Sequence, residues 1–241
     1  MDIIWHGHSC FEIVEDGYHV VIDPFEPTSC GDAYPVIKDL EADELLITHE
    51  HRDHCYRDGV KLRRGRISPF TITSMETYHD VMRGAVRGMN TVYFLEANGQ
   101  TAVHLGDLGI SLKGEQLERV KGCDVLMIPV GGIYTIEPEA AFYLVEKLMP
   151  RVVIPMHYQM PGHSNWRLRK LEYFSEIFLE QPILPVYEYD TNPSMKYHRP
   201  WATMWAVCPW LSKRGFTSKR PRQLVLLLMP AKRIIWQNSS P

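Results

Sequence analysis

An α/β domain of mixed sheets covered by helices is the fold class that the 241-residue sequence predicts, and three features point to it. Short runs rich in β-branched and aromatic residues fill the first half. Asp16-Gly17 and Asn98-Gly99 sit between such runs, and these dipeptides suit the positive φ angles of type I′ hairpin turns. From residue 124 onward, continuous apolar runs alternate with helical patterns, the arrangement of a sheet with crossover helices.

In chain order, strands are expected at residues 2–5, 10–14, 18–22, 44–48, 70–75, 91–95 and 101–105. The apolar run 124–130 is a further strand, closed by Gly131-Gly132. Pro138 suits a first helical turn, where its missing N–H has no partner to lose, and Ala141, Leu144, Val145 and Leu148 recur at helical spacing until Pro150. Residues 152–156 read as a buried strand, Asn165 as the cap of a helix running through Leu168, Leu171, Phe174 and Phe178, and residues 184–189 and 223–229 as the last strands.

Composition narrows the function. With 45% hydrophobic residues and 26 Lys plus Arg against 29 Asp plus Glu, the chain is a globular protein rather than a fibrous or disordered one. No apolar stretch approaches the roughly 18 residues of a membrane span, and the start lacks a basic segment followed by a long apolar one, so a cytoplasmic location without a membrane partner is expected. Cys10, Cys30, Cys55, Cys123 and Cys208 never form a Cys-x-x-Cys pair, which argues against a thiolate zinc site or a disulfide framework. The net charge of −3 is an average of two unlike segments. Residues 1–190 carry all 29 acids and 17 bases, whereas residues 191–241 carry nine bases, no acid and Trp201, Trp205, Trp210 and Trp236. The expected division is a catalytic domain over 1–190 and a basic, Trp-rich extension over 191–241 that ends with a strand of the same domain and can support a homo-oligomer.

The chemistry concentrates in Thr48-His49-Glu50-His51-Arg52-Asp53-His54. An apolar strand runs into four metal-ligand side chains, of which His49 and His51 share one side of an extended chain, and a turn after them swings Asp53 and His54 toward the same space. His79, Asp107 and His157 each follow an expected strand, and strand ends along one sheet edge are where α/β proteins place their sites.

Together, His-x-His-x-Asp-His, a later single histidine, a Gly-Asp turn and a histidine after a strand resemble the metallo-β-lactamase superfamily, which implies an αββα sandwich with a one- or two-metal site at one edge. Gly7-His8-Ser9-Cys10-Phe11, Ile22-Asp23-Pro24, Gly106-Asp107-Leu108-Gly109, the 129–135 segment and Val153-Ile154-Pro155-Met156-His157-Tyr158 resemble its UlaG-type metal-dependent hydrolases, which include L-ascorbate 6-phosphate lactonase, over residues 1–190. The resemblance implies that His49, His51 and His79 bind one metal, that Asp53, His54 and His157 bind a second, and that Asp107 bridges them, with Asp53, His54 and Asp107 as the catalytic groups. Asp53 has a second role open to it, orienting the attacking water; with a single metal, its trio becomes acid/base or supporting. Imidazoles and carboxylates suit zinc first, with manganese or iron as alternatives. His8 is expected near the metals, in contact with ligands or substrate, or else as a turn-fixing residue; Asp23 is expected to support the histidine loop. Tyr134 and Thr135 are candidates to reach the site, and Thr135 alternatively to start the next helix. His104 reads as structural. Arg83 and Arg87 lie in a Gly-rich loop without regular structure, which either borders the site and binds an anionic substrate or is merely solvated. Relatives of this branch often place a histidine where this chain has Ile110, so a contact made there is absent.

The expected function is metal-dependent hydrolysis of a small-molecule ester, lactone or related bond, such as a sugar-phosphate lactone. A divalent metal lowers the pKa of bound water to about 7, which supplies a nucleophile at neutral pH. Neither Ser-x-x-Lys nor Gly-x-Ser-x-Gly occurs, so a covalent intermediate is not expected. The alternatives are a phosphodiesterase or nuclease of the same superfamily, and a non-catalytic metal- and nucleic-acid-binding protein acting through the basic tail. The acidic first 190 residues argue against nucleic acid, which selects for basic surfaces.

Overall fold

The computed structural model describes residues 1–31, 33–160, 167–180, 224–225 and 232–235; the Asn165 cap, the expected strand at 184–189, the four tail tryptophans and most of 223–229 lie outside the described residues. In chain order its strands are β1 (Asp2–Gly7), β2 (Cys10–Glu15), β3 (Tyr18–Ile22), β4 (Leu40–Ala42), β5 (Glu44–Leu46), β6 (Val60–Leu62), β7 (Thr71–Tyr78), β8 (Met89–Ala97), β9 (Gln100–His104), β10 (Val125–Pro129), β11 (Val152–Met156), β12 (Leu224–Val225) and β13 (Lys232–Ile235). Helices α1 (Glu115–Val120), α2 (Pro138–Leu148) and α3 (Leu171–Glu180), with a single 3-10 turn at Arg57–Gly59, complete the described elements.

Two mixed sheets form a sandwich, one ordered β13-β1-β2-β3-β5 and the other β12-β11-β10-β9-β8-β7. Both predicted hairpin turns have positive φ at both central residues, 49° and 71° at Asp16-Gly17 and again at Asn98-Gly99. These turns make β2–β3 and β8–β9 antiparallel, as β1–β2 and β7–β8 also are, while β3–β5, β9–β10 and β10–β11 are parallel. Two antiparallel steps restore direction, so β1, β3 and β5 run one way in the first sheet and β7, β9, β10 and β11 run one way in the second. The carboxyl ends of each set therefore share an edge, and every residue of the site described below follows one of those ends.

One apolar core joins the sheets. Trp5, Phe11 and Ile22 of the first sheet and Leu95, Leu126 and Met127 of the second belong to it, all fully buried. On the far side of the second sheet, α2 adds Ala141, Leu144, Val145 and Leu148 to the same core, the stripe that its helical spacing predicts, together with Phe142. The first sheet's far side is covered differently: Cys10 and Val21 pack with Phe25, Cys30, Ile37 and Ala42, so a loop and the small β4–β6 sheet take the place of a helix there among the described residues. No helix among the described residues is long and apolar enough to cross a membrane.

Some boundaries differ from expectation for identifiable reasons. The helix expected through Leu168 starts only at Leu171, because the Arg169 N–H donates to Gly131 O at 2.7 Å and Arg169 O accepts from Gln159 N at 2.9 Å. Strand β5 ends at Leu46 because the Ile47 carbonyl accepts the Tyr93 hydroxyl and the Thr48 N–H turns to Asp23. Strands β4 and β6 have three residues each and α1 has six, too short for a readable period. Leu126→Ala, at the centre of the shared core, is expected to lower stability by about 2–5 kcal/mol in urea unfolding.

Candidate metal centre

Asp23 organises the first half of the site. It follows β3 with φ 50° and is fully buried. Its Oδ1 accepts the Thr48 N–H at 2.8 Å, and its Oδ2 accepts the Thr48 hydroxyl at 2.6 Å and His54 Nδ1 at 2.9 Å. Since the Thr48 hydroxyl proton goes to Asp23, the 3.0 Å contact between Thr48 Oγ1 and His49 Nδ1 makes the imidazole the donor. Both Nδ1 protons are thus committed, directly or through Thr48, to one carboxylate. The Nε2 atoms of His49 and His54 are left facing Asp107.

Asp107 is the centre of the second half. It sits 2% exposed in the turn after β9, where Gly106 has φ 56° and a side chain would meet Asn90 Oδ1 at 2.2 Å. Asn90 accepts the Asp107 N–H at 2.8 Å and donates to Thr77 Oγ1 and Leu105 O, which pins the turn to β7 and β8. Around the Asp107 carboxylate lie His157 Nε2 at 3.0 Å, His79 Nε2 at 3.4 Å and His49 Nε2 at 3.8 Å from Oδ2, with His54 Nε2 at 3.3 Å from Oδ1. His51 Nδ1 is 3.2 Å from His79 Nε2, and Asp53 Oδ2 is 3.7 Å from His54 Nε2. The seven residues singled out in the sequence thus come together. His51 is exposed and Asp53 half-buried, which marks the open side.

His104, read as structural, links the turns by donating from Nε2 to Ser9 O and accepting the Gly106 N–H at Nδ1. His8 lies closer to the cluster than a turn-fixing role requires: its Nε2 is 3.4 Å from Asp53 Oδ2 and its ring centroid 4.3 Å from that of His157. The Tyr134 ring carries the Arg87 guanidinium at 4.7 Å, which ties the loop after His79 to the loop before α2. That first loop is a series of turns wound on Asp80, whose carboxylate accepts the N–H groups of Gly84, Val86 and Arg87. Arg83 is exposed in it and makes no hydrogen bond or ion pair among the described residues. Thr135 is not the helix cap; Glu137 occupies that position, and its carboxylate accepts the Ile133 N–H.

The electrostatics suit a cation. Among the described residues no Lys or Arg pairs with the carboxylates of Asp23, Asp53 or Asp107; their partners are histidines and, for Asp23, Thr48. Burial raises the carboxyl pKa of Asp107, but His157 and His54 outweigh it and hold the group well below the usual range. Burial lowers His54, yet Asp107 and Asp23 push it well above an ordinary imidazole, so positive charge is favoured at that position. His49 is held down to about 3 by burial and by His54, and remains neutral. His49 Nε2, His54 Nε2 and Asp107 Oδ1 are buried without a hydrogen-bond partner. Imidazole nitrogens facing carboxylates that have no Lys or Arg partner among the described residues fit a divalent metal. Three compact groups of ligand atoms are available among the described residues: His49 with His51 and His79; Asp53 with His54, His157 and His8; and Asp23 with His49 and His54, in which Asp23 already accepts hydrogen bonds from Thr48 and His54 Nδ1.

Sequence reasoning missed Asn90, Thr48 and Asp80. Asn90 was visible only as an amide beside an expected strand, and the partners that make it structural are distant in sequence.

A family model described as a beta-lactamase superfamily domain matches residues 2–157. A UPF0173 metal-dependent hydrolase from Thermoplasma acidophilum is 28% identical, the match covering 66% of this chain and 83% of that one. Among solved structures, one described as a Zn-dependent hydrolase of the metallo-β-lactamase superfamily from Thermotoga maritima is 32% identical over 73% of this chain and 84% of its own, with a TM-score of 0.56. A metallo hydrolase from Ignicoccus hospitalis, 18% identical, covers 99% of both chains with a TM-score of 0.57 and bears on the fold alone.

Replacing Asp23 by alanine would strand the His54 and Thr48 donors in the interior. A loss of about 3–5 kcal/mol is expected for the Asp23→Ala chain in urea unfolding, the usual cost of removing one partner of a buried pair.

Proposed function

Because the chain belongs to the metallo-β-lactamase superfamily, whose domain model spans most of its described residues, we propose that its metal-dependent hydrolase activity resides in the cluster around Asp107. The observation that carries the reading is the set of four imidazole nitrogens within 3.8 Å of one buried carboxylate that has no Lys or Arg partner among the described residues. In this reading His49, His51 and His79 would hold one divalent metal and Asp53, His54 and His157 a second, with Asp107 as the ligand that would join them. Zinc is the first choice for such donors, with manganese and iron as alternatives. When bound, the metals supply Lewis acidity and a nucleophilic water at neutral pH.

The side chains supply the rest. Asp23 keeps His49 and His54 in the tautomer that leaves Nε2 available. Asp53, half-buried at the open side, has a second role open to it besides metal binding, accepting a proton from the attacking water and orienting it. His51 marks the face by which substrate enters. The substrate is a small molecule with an ester, lactone or related bond. The UlaG-like wording of the motifs makes a phosphorylated sugar lactone the first to try, with Arg87, steadied on Tyr134, as a contact for its anionic group. The protein works in the cytoplasm, with residues 191–241 as an extension of the catalytic domain.

Chain reconstituted with zinc, manganese or iron and screened against lactones, esters and phosphodiesters is expected to hydrolyse a lactone or ester, and to lose turnover on chelation. Asp53→Asn is expected to lower turnover by about 10²–10⁴-fold. Purified chain that retains no metal, or turnover indifferent to chelator, would contradict the reading.

A further inference from the structure

His8 lies in a turn that several distant residues hold in an unusual conformation. Gly7 has φ 122° and His8 itself φ 49°. Left-handed backbone at a histidine is uncommon and persists only where the surroundings enforce it. Here the Trp5 indole donates to His8 O at 3.0 Å, and the hydroxyl of half-buried Tyr34 bonds the His8 backbone. A Cβ at residue 7 would lie 2.5 Å from the Tyr34 ring, so glycine is what lets that ring close over the turn. The result is an imidazole 1% exposed, packed between His157 at 4.3 Å and His54 at 5.2 Å between ring centroids, with Nε2 3.4 Å from Asp53 Oδ2.

The ligand atoms of His8, Asp53, His54 and His157 all lie within 4.8 Å of one another. That spacing fits donors surrounding a single ion at metal–ligand distances of about 2.0–2.2 Å. The group of His49, His51 and His79 has three imidazoles, one of them exposed.

We propose that His8 is a fourth protein ligand of the half-site formed by Asp53, His54 and His157, an assignment that rests on the two-metal reading above. The two half-sites are then unequal in a useful way. With Asp107 reaching both, the His8 half-site would have five protein donors and the three-histidine half-site four. The His8 half-site would therefore hold its metal more tightly, and the less enclosed three-histidine half-site, on the side of exposed His51, would engage substrate by expanding its coordination. The Gly7-His8 turn belongs to the metal centre rather than to the chain reversal alone.

The test is a metal titration of the full-length, metal-free chain with cobalt(II), read by visible absorption and by competition with a chelator. His8→Asn is the informative variant, because asparagine tolerates the left-handed conformation while removing the imidazole. Wild type is expected to take up two equivalents. In His8→Asn one equivalent should weaken by about 100-fold or more while the other keeps its affinity and spectrum. In His8→Gly added imidazole should restore the weakened equivalent, a rescue that a merely structural role would not produce. Two equivalents of wild-type affinity in both variants would overturn the proposal. So would a weakened equivalent that imidazole does not restore in a His8→Gly chain whose circular dichroism shows it folded. Wild type that binds fewer than two equivalents would instead contradict the two-metal reading underneath, and the first titration shows this before any variant is made.

Discussion

The site depends on a single carboxylate, Asp23, that is fully buried. Asp23 takes the Nδ1 proton of His54 directly and that of His49 through the Thr48 hydroxyl. Each imidazole has only one proton to place when neutral, so committing it at Nδ1 leaves the lone pair at Nε2, aimed at Asp107. The same carboxylate accepts the Thr48 N–H, which ends β5 and starts the histidine loop. Tautomer, ring direction and loop origin therefore share one cause. With three acidic groups in the cluster and no Lys or Arg paired with them among the described residues, the arrangement is costly as a bare protein interior and sensible around a cation.

Topology explains how distant residues reach that carboxylate. Pairs of antiparallel steps orient β1 and β3 alike and β7 and β9 alike, and parallel pairing carries those directions to β5 and, through β10, to β11, so that residues 8, 23, 49, 79, 107 and 157 all leave strands at one edge. Small residues then let the turns meet. Gly109 passes where a side chain would be 2.2 Å from the His79 backbone, and Gly131 where it would be 2.0 Å from His157 O. Hydrogen-bonded polar side chains such as Asn90 and His104 tie these turns to one another without taking part in the chemistry.

Much of this was legible in the residues and some could not have been. The His-x-His-x-Asp-His segment is local, so ligand type and spacing alone revealed it. His79, Asp107 and His157 became readable because each ends an apolar run, and the two hairpin turns because Asp-Gly and Asn-Gly have few other uses. What stayed hidden depends on partners far away in the chain. Asn90 is one polar residue beside a strand until Asp107 N and Leu105 O are placed beside it, and Asp80 is an ordinary loop acid until three N–H groups converge on it. The role of Tyr34 in seating the His8 turn likewise has no local signature, because it works by covering a glycine 27 positions earlier.

The central claim is that two metals share Asp107 between unequal half-sites. Anomalous diffraction from crystals of the zinc-loaded chain, collected on both sides of the zinc edge, tests this most directly. The account predicts two peaks, one among His49, His51 and His79 and one among His8, Asp53, His54 and His157, with the Asp107 carboxylate touching both. A single peak, or peaks that leave Asp107 without a metal contact, would contradict it.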